Sequence, residues 1–490
     1  MKNAILLIML IFLGKLTGLS KDILATAFFG VSLNTDAFFL ATYISTLLYI
    51  ALYGSISLVV IPAYQAYKSH GVGKGSLNFV IIILLLASIF LSIISYHYSF
   101  SIVGFFYQGG YEGFILTSSK YLKLMVVTYP LSTCVGILNA ISSAKSKPIY
   151  VYLNPIINNV SFCLFVYLFG ESGTFEPILL GAIATWFILL VMNIFGYKNI
   201  LNQLRSLWRD VSPNSGLLLV SGVSISFSLV EQIVNFIPVY ISSSFGDGAI
   251  SYYSIASKLT LLFLSLSSLI ISSHVYPKFS KMESLDSIRE LINQYLPLLL
   301  SFLFSIVSFS IVFAEQLIKL VFERGQFNSN DAHNVAMVFS VIVVMIPFVL
   351  IKDLSTKALF AQGKGLSCFK SILIFSIIIT GFSILVVKYF DFVVSLIVYV
   401  FLVIVFSLHM YFKLFASGQV NKMVTIIFLS MKYFIISIVL SLAVFYTVDG
   451  FYISVFLYLI GYSFFMFVTK DDSFLKLYRM LSRRNNEKTV

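Results

Sequence analysis

Three charged side chains lie within one apolar stretch near the start of the chain. The stretch GKLTGLSKDILATAFFG carries Lys15, Lys21 and Asp22. On a helix, Lys15 and Asp22 are seven residues apart and share a face, whereas Lys21 lies about 100° away from Asp22. A lysine at the centre of a spanning helix costs roughly 2.5–3.5 kcal/mol, so it persists where it faces water, a partner or a ligand. Gly14 and Gly18 form a GxxxG pattern, which permits close helix packing or a local bend.

Mutual neutralisation of Lys15 and Asp22 is the structural alternative for this stretch, and it leaves Lys21 without an explanation. Later apolar stretches carry further charges, among them Lys258 and the adjacent Lys352 and Asp353. Lysines outnumber carboxylates in these stretches. A cationic, water-accessible cavity suits an anionic ligand such as a phosphate, for which lysine is a good point-charge partner.

One acidic residue has a different interpretation. The segment SISFSLVEQIVNF contains Glu231 together with Asn235. Glu231 is a candidate proton or cation site for coupling transport to a gradient. A structural ion pair with a lysine of another helix is the alternative.

The sequence contains none of the common motifs of catalysis or nucleotide binding. There is no GxxxxGK and no HExxH, and the three cysteines Cys134, Cys163 and Cys368 have no metal-ligand spacing. We therefore expect no enzyme activity, no cofactor, no metal and no ATP site. Transport would be driven by the membrane potential or an ion gradient.

The elements that hold these residues are predicted to be membrane-spanning helices. Hydrophobic residues make up 59% of the chain and charged residues only 11%, with a mean hydropathy of +0.98, whereas soluble domains carry roughly 25% charged residues. Runs such as FVIIILLLASIFLSII are long enough, with their flanks, to cross a hydrocarbon core of ~30 Å. The sequence predicts an all-α membrane protein with about fourteen spans, at 3–29, 37–66, 77–99, 115–142, 149–169, 177–197, 217–244, 250–277, 291–314, 332–360, 368–388, 392–412, 423–446 and 450–469.

The basic residues predict the orientation of the chain. About 21 of the 32 lysines and arginines fall on one side of the predicted membrane, and only Lys319, Arg324 and Lys388 fall opposite. Because cytoplasmic loops are enriched in basic residues, both termini are predicted to be cytoplasmic. The net charge of +12 is then mainly a topology signal, and it implies no nucleic-acid partner.

The chain also repeats itself at an offset of about 216 residues. FFYQGGY matches VFERGQF, Pro130 matches Pro347, and AKSK matches AQGK. The period contains six spans, an even number, so the two copies enter the membrane in the same direction, and such transporters bind their cargo near the midplane between the two halves. We predict an N-lobe over residues 1–200, a C-lobe over 201–415, a C-terminal helix pair over 416–470 and a basic cytoplasmic tail over 471–490.

Several stretches together resemble one family. LTGLSKDILATAFFGVSLNTDAFFLATYISTLL, KPIYVYLNPIINNVSF, YYSIASKLTLLF and VFERGQFNSNDA are similar to segments of the MurJ/MviN lipid II flippases, within the multidrug/oligosaccharidyl-lipid/polysaccharide exporter superfamily. The resemblance implies fourteen helices in two lobes plus a C-terminal pair. It places the family's basic cavity positions on Lys15, Lys21 and Lys258 and the acidic neighbour on Asp22. Asp36 matches the aspartate that precedes the paired phenylalanines.

The chain departs from the family pattern at several positions, and these departures leave more than one cargo compatible with the sequence. The family usually has arginine at the three basic sites, and its second-helix basic position falls near Tyr49. The resemblance implies an undecaprenyl-pyrophosphate-linked saccharide as cargo, either lipid II or an O-antigen or capsule repeat unit, with membrane lipids around it. A cation-coupled multidrug exporter is the less favoured alternative, since the lysine excess suits a cationic drug poorly. The predicted cargo-binding set is Lys15, Lys21, Asp22, Lys258 and Lys352, supported by Asp36, Asp353 and Asn235.

Overall fold

The computed structural model describes most of the chain as helix. The described residues are 2–70, 74–145, 149–196, 215–246, 248–270, 285–362, 364–415, 420–448 and 450–468. Within them no strand forms beyond an isolated bridge between Arg324 and Phe327. The predicted lobe boundary after residue 200, the start of the predicted C-terminal pair at residue 416 and the predicted basic tail at 471–490 lie outside the described residues.

Eighteen α-helices and two 3₁₀ turns follow one another along this part of the chain. The first eight helices are α1 (Lys2–Phe29), α2 (Leu33–His70), α3 (Lys74–His97), α4 (Ser99–Phe106), α5 (Glu112–Val126), α6 (Thr128–Ala144), α7 (Ile149–Phe169) and α8 (Glu176–Gly196), with a 3₁₀ turn at Gly170–Ser172. The remaining helices are α9 (Ser215–Ser242), α10 (Ala249–Ile270), α11 (Leu285–Val312), α12 (Ala314–Phe322), α13 (Ser329–Ile342), α14 (Ile346–Ala361), α15 (Gly365–Val386), α16 (Phe392–Phe415), α17 (Val420–Thr447) and α18 (Phe451–Val468), with a 3₁₀ turn at Val343–Met345.

The predicted membrane spans coincide with these helices. Nine segments of the described residues are long and apolar enough to cross a membrane, judged by length and composition. Three shorter apolar helices are found at Leu229–Ser242, Met431–Thr447 and Phe451–Met466. The all-α membrane fold predicted from the sequence is therefore confirmed.

Two of the predicted spans are each divided into two helices, and a proline explains both breaks. α5 ends at Val126, and α6 begins two residues later. Pro130 has no N–H to donate to the Val126 carbonyl, and the Ser92 hydroxyl donates to that carbonyl instead at 2.8 Å. In the later span, Pro347 is the second residue of α14, directly after a 3₁₀ turn.

The helix bounds confirm the internal repeat. α7 and α15 begin at residues 149 and 365, and α8 and α16 begin at residues 176 and 392. The short helices α4 and α12 both precede a glycine-containing loop, and the two proline breaks follow in the same order. The repeat detected in a few short sequence matches therefore extends over the helices themselves.

The chain forms two compact units. Unit 1 contains Met1–Ile255 together with Phe322–Asp331, and unit 2 contains Ala256–Val321 together with Ala332–Val490. In unit 1, α2, α3 and α6 enclose a core of aliphatic side chains that includes Ile56, Val60, Ile81, Leu84 and Ile141. In unit 2, α11, α17 and α18 bury Phe313, Val444 and Tyr458.

Candidate cargo-binding residues

The helix that carries the first three charged residues is packed along α7. Gly14 and Gly18 face this neighbour: a Cβ at Gly14 would lie 3.7 Å from Ile156, and one at Gly18 would lie 3.4 Å from the Asn159 amide. The Asn159 Nδ2 donates to the Gly14 carbonyl at 3.3 Å and to the Thr17 hydroxyl at 3.4 Å. Small residues allow this close approach, so the GxxxG pattern is confirmed as a packing site.

Lys21 is held at an aromatic ring of the same neighbouring helix. Its Nζ lies 5.3 Å from the centre of the Phe162 ring, and its side chain is half-buried. An aromatic face attracts an ammonium but carries no net charge, so the Phe162 ring is not a counter-ion for Lys21. Lys15, on the same helix, is exposed.

Asp36 has a definite structural role at the start of α10. Its side chain is 2% exposed. The Gly248 N–H donates to Oδ2 at 2.6 Å, the Ser251 N–H donates to Oδ1 at 2.8 Å, and the Ser251 hydroxyl donates to Oδ1 as well. A carboxylate at a helix N-terminus satisfies the free N–H groups and is favoured by the helix dipole. Asp36 therefore fixes the beginning of α10 within unit 1.

The loop between α12 and α13 is docked on the end of α1. The Gln326 N–H donates to the Ala27 carbonyl at 2.8 Å. Gly325 has a φ of +62°, and a Cβ there would lie 2.2 Å from the Ala27 oxygen. Gly30 has a φ of +54°, and a Cβ there would lie 2.8 Å from the Gln326 oxygen. Glycine is required on both sides of this contact because neither backbone has room for a side chain.

Phe38, the first of the paired phenylalanines that follow Asp36, belongs to an aromatic cluster in unit 1. The Phe175 ring stacks on Phe38 with centroids 4.1 Å apart, and it also lies 4.0 Å from the Phe29 ring. Tyr121 meets Phe175 edge-on, and its hydroxyl accepts from the Phe175 N–H at 3.3 Å. Stacked rings of this kind stabilise the fold beyond the burial of their apolar area. The C-terminal end of α1 and the beginning of α2 are therefore held by aromatic packing.

A neutral network occupies the position where the resemblance places a second basic residue on α2. The Tyr49 hydroxyl lies 2.8 Å from the Thr133 hydroxyl and accepts from the Ser132 hydroxyl at 2.8 Å. The Tyr49 ring stacks on Tyr129 at 4.5 Å. Tyr49 is thus bound to α6 by hydrogen bonds and stacking, and it supplies no positive charge.

The remaining predicted residues lie on other helices. Glu231 is half-buried on α9 and interacts with neighbouring residues, and Asn235 is exposed one turn later. On α14, Lys352 and Asp353 form an ion pair with Nζ and Oδ1 3.5 Å apart. Lys258 is half-buried on α10 and also interacts with other residues. Unit 1 contains Lys15, Lys21, Asp22, Asp36, Glu231 and Asn235, and unit 2 contains Lys258, Lys352 and Asp353.

Sequence reasoning missed the residues that position the predicted ones. Ser251 meets Asp36 from 215 residues away, and Asn159 meets Gly14 from 145 residues away. Phe162 meets Lys21 only because α7 packs on α1. Local patterns carry no signal for such pairs, although the stretch that contains Asn159 and Phe162 is among those that resemble the flippase family.

A family model now decides the identity of the chain. The model described as lipid II flippase MurJ matches residues 25–469. The chain belongs to the lipid II flippase MurJ family. It is 28% identical over 420 residues to a probable lipid II flippase MurJ from Buchnera aphidicola subsp. Baizongia pistaciae, covering 80% of this chain and 79% of that relative. A probable lipid II flippase MurJ from Thermotoga maritima is 22% identical over 362 residues, covering 72% of each chain.

Solved structures show the same fold. A lipid II flippase MurJ in an inward closed conformation has a TM-score of 0.79 at 21% identity, covering 96% of this chain and 99% of that one. An inward-facing multidrug resistance MATE family transporter of the MOP superfamily has a TM-score of 0.60 at 14% identity, covering 83% of this chain and 96% of that one. As a MurJ family member with many apolar helices, the protein is a multi-pass protein of the bacterial inner membrane and belongs to a family of transporters.

Proposed function

We propose that this MurJ family protein moves an undecaprenyl-pyrophosphate-linked saccharide from the inner to the outer leaflet by alternating access. The observation that carries the proposal is the family match over residues 25–469. Lipid II, the precursor of peptidoglycan, is the first candidate because the matched relatives are called lipid II flippases. The function is transport without a chemical change in the cargo.

The charged residues of α1 suggest how the cargo is held. In this proposal the pyrophosphate binds Lys15 and Lys21, because ammonium groups are effective point charges for phosphate oxygens. The lipid tail stays in the hydrocarbon of the surrounding membrane lipids. Asp22 is the acidic neighbour of this pair, and Lys258 and Lys352, with Asp353, stay predicted cargo-binding residues.

The energy source is proposed to be the membrane potential or an ion gradient. Moving one elementary charge through 100 mV changes its free energy by about 2.3 kcal/mol, which is enough to bias a transport cycle. Glu231 is the proposed coupling residue. Both termini are proposed to lie in the cytoplasm, a proposal that the distribution of basic residues supports.

A second cargo is supported by the chemistry around α2 and the basic sites. Neutral Tyr49 is hydrogen-bonded where the family resemblance has a basic residue, and lysine lacks the bidentate geometry of arginine. An O-antigen or capsule repeat unit on the same lipid carrier would use the same pyrophosphate contact. A cation-coupled multidrug exporter shares the fold but fits the lysines of α1 poorly.

Complementation tests the proposed cargo. The full chain is expressed in cells depleted of their own lipid II flippase, with its presence in the membrane confirmed by immunoblot, and the Lys21→Ala variant is expressed in parallel. We expect the chain to restore growth and Lys21→Ala to fail. Failure of the wild-type chain, with rescue of a strain that lacks its O-antigen flippase, would replace lipid II by the second cargo. Failure in both strains would refute the proposal.

A further inference from the structure

Unit 1 contains a cavity whose lining combines apolar and polar side chains and carries no charge. The cavity has a volume of about 340 Å³ and lies among α2, α6, α7 and α8, within the range of ~300–1,000 Å³ that small-molecule sites occupy. Its wall includes three asparagines and no acidic or basic side chain. The polar and aromatic lining residues include Tyr53, Ser57, Asn139, Asn154, Asn158 and Trp186.

Two of the asparagines belong to a buried chain of amides. The Asn154 Nδ2 donates to the Asn139 Oδ1 at 3.1 Å, and the Asn193 Nδ2 donates to the Asn154 Oδ1 at 3.2 Å. The Ser143 hydroxyl donates to the Asn139 carbonyl at 2.9 Å. Because each amide in the chain constrains the next, the wall of the cavity is held in one arrangement.

The other polar groups of the wall have unused hydrogen-bonding capacity. Within the part of the chain that the structure describes, Asn158, Ser57, the Tyr53 hydroxyl and the Trp186 N–H make no side-chain hydrogen bond, although all four line the cavity. Asn158, Tyr53 and Trp186 are half-buried and Ser57 is exposed. These groups can therefore bond water or a ligand, and together they offer both donors and acceptors.

We propose that this cavity binds a neutral sugar ring of the lipid-linked cargo, a step that rests on the proposed function. A sugar ring presents hydroxyl groups, apolar C–H faces and no charge, which matches a wall that carries amides and hydroxyls beside apolar side chains and no ionic group. The indole of Trp186 supplies a flat apolar surface for the ring's C–H face, as aromatic side chains do in many small-molecule sites. The cavity would recognise the head group, separately from the lysines that are proposed to bind pyrophosphate.

The sequence offers a direct optical test of this cavity. The chain has only two tryptophans, Trp186 and Trp208, so a Trp208→Phe variant leaves Trp186 as the single indole emitter. This variant of the full chain is purified and titrated with N-acetylglucosamine, and separately with inorganic pyrophosphate. We expect a saturable change in Trp186 emission with the sugar and none with pyrophosphate. No saturable change with the sugar would overturn the proposal.

A binding comparison separates this proposal from the proposed function. Affinities are measured for undecaprenyl pyrophosphate with and without its disaccharide, using wild type, Asn158→Ala and Asn34→Ala. Asn34 is the matched control, since its amide donates to the Gly173 carbonyl outside the cavity. Asn158→Ala should weaken binding of the saccharide-linked lipid by about tenfold, the effect of one to two hydrogen bonds, and leave the bare lipid unaffected. Asn34→Ala should change neither.

The remaining outcomes have distinct meanings. Equal weakening of both lipids by Asn158→Ala, or no weakening of either, would overturn the sugar site and leave the proposed function in place. Failure of wild type to bind either lipid would overturn the proposed function itself. A normal unfolding temperature of Asn158→Ala is required in each case and is expected, because Asn158 lies outside the amide chain that holds the cavity wall.

Discussion

Replacement of Asp36 by alanine should destabilise the protein more than the loss of an ordinary helix cap. The carboxylate is 2% exposed and accepts two backbone N–H groups and one hydroxyl from the first turn of α10. An exposed N-cap contributes about 0.5–2 kcal/mol to the free energy of unfolding. A hydrogen bond to a charged group contributes about 1.5–3 kcal/mol, and removing the acceptor costs more when the donor is left buried without a partner. Since Asp36→Ala leaves two buried N–H groups without their acceptor, we expect a loss of about 2–4 kcal/mol.

The assay is unfolding of the purified variants in mixed micelles, followed by circular dichroism. Ser251→Ala removes only the hydroxyl donor and should cost about 1 kcal/mol. Asp391→Ala is a matched control, because Asp391 accepts the Val394 N–H at 2.9 Å at an exposed helix start. It should cost less than Asp36→Ala by at least about 1 kcal/mol. Equal stability of Asp36→Ala and Asp391→Ala would refute the reasoning.

Three further variants test the loop contact, the proposed coupling residue and a surface ion pair. Gly325→Ala should detach the loop from α1 and lower the unfolding temperature, because its Cβ would lie 2.2 Å from the Ala27 oxygen at a φ of +62°. Glu231→Gln should change the dependence of transport on pH or membrane potential, measured in proteoliposomes with an imposed gradient. The Lys319 ammonium, 2.7 Å from Glu315, holds the pKa of the Glu315 carboxyl below its ordinary value. A carboxyl whose pKa is lowered in the folded state stabilises the fold at pH values above its ordinary pKa. Glu315→Gln should therefore lower the unfolding temperature at neutral pH. The difference between variant and wild type should disappear as the pH falls through the lowered pKa.

Each of these predictions has its own control or contrary result. Gly381→Ala is matched to Gly325→Ala, because Gly381 is helical and a Cβ there meets nothing within 4 Å; equal effects of the two variants would exclude the steric explanation. An unchanged pH and potential profile for Glu231→Gln would make Glu231 structural. A stability difference for Glu315→Gln that is constant from neutral to acid pH would rule out the ion pair as its cause.

The helices were predictable because their signal is local. Continuous apolar runs determine where a chain can cross a membrane, and each of the fourteen predicted spans falls on helix in the residues that the structure describes. Pro130 and Pro347 could also be identified as equivalent positions, and the structure shows why they matter: each lies in the first turn after a break. What the sequence did not reveal was that those spans are divided at the prolines, since hydropathy continues across the break.

The positioning contacts were beyond sequence reasoning because they join distant segments. Asp36 could be matched to a family position, but its partner Gly248 lies 212 residues away. The glycine-aromatic loop at 321–327 could be recognised as a repeated pattern. Its hydrogen bond to the Ala27 carbonyl depends on the packing within unit 1 and could not be predicted. The roles of Lys15 and Lys21 in cargo binding stay predictions, and they are the ones that matter most for function.

Transport by purified protein tests the central claim most directly. Wild type and Lys21→Ala are each reconstituted in proteoliposomes that carry fluorescent lipid II in the leaflet corresponding to the cytoplasmic side. A membrane potential is imposed. Lipid II that reaches the opposite leaflet is measured with a membrane-impermeant quencher. We expect transport by wild type and none by Lys21→Ala, with equal unfolding temperatures for the two proteins. Normal transport by Lys21→Ala would contradict the assignment of Lys21 to the pyrophosphate. Absence of transport by wild type, with lipid II and with an O-antigen lipid alike, would contradict the flippase function.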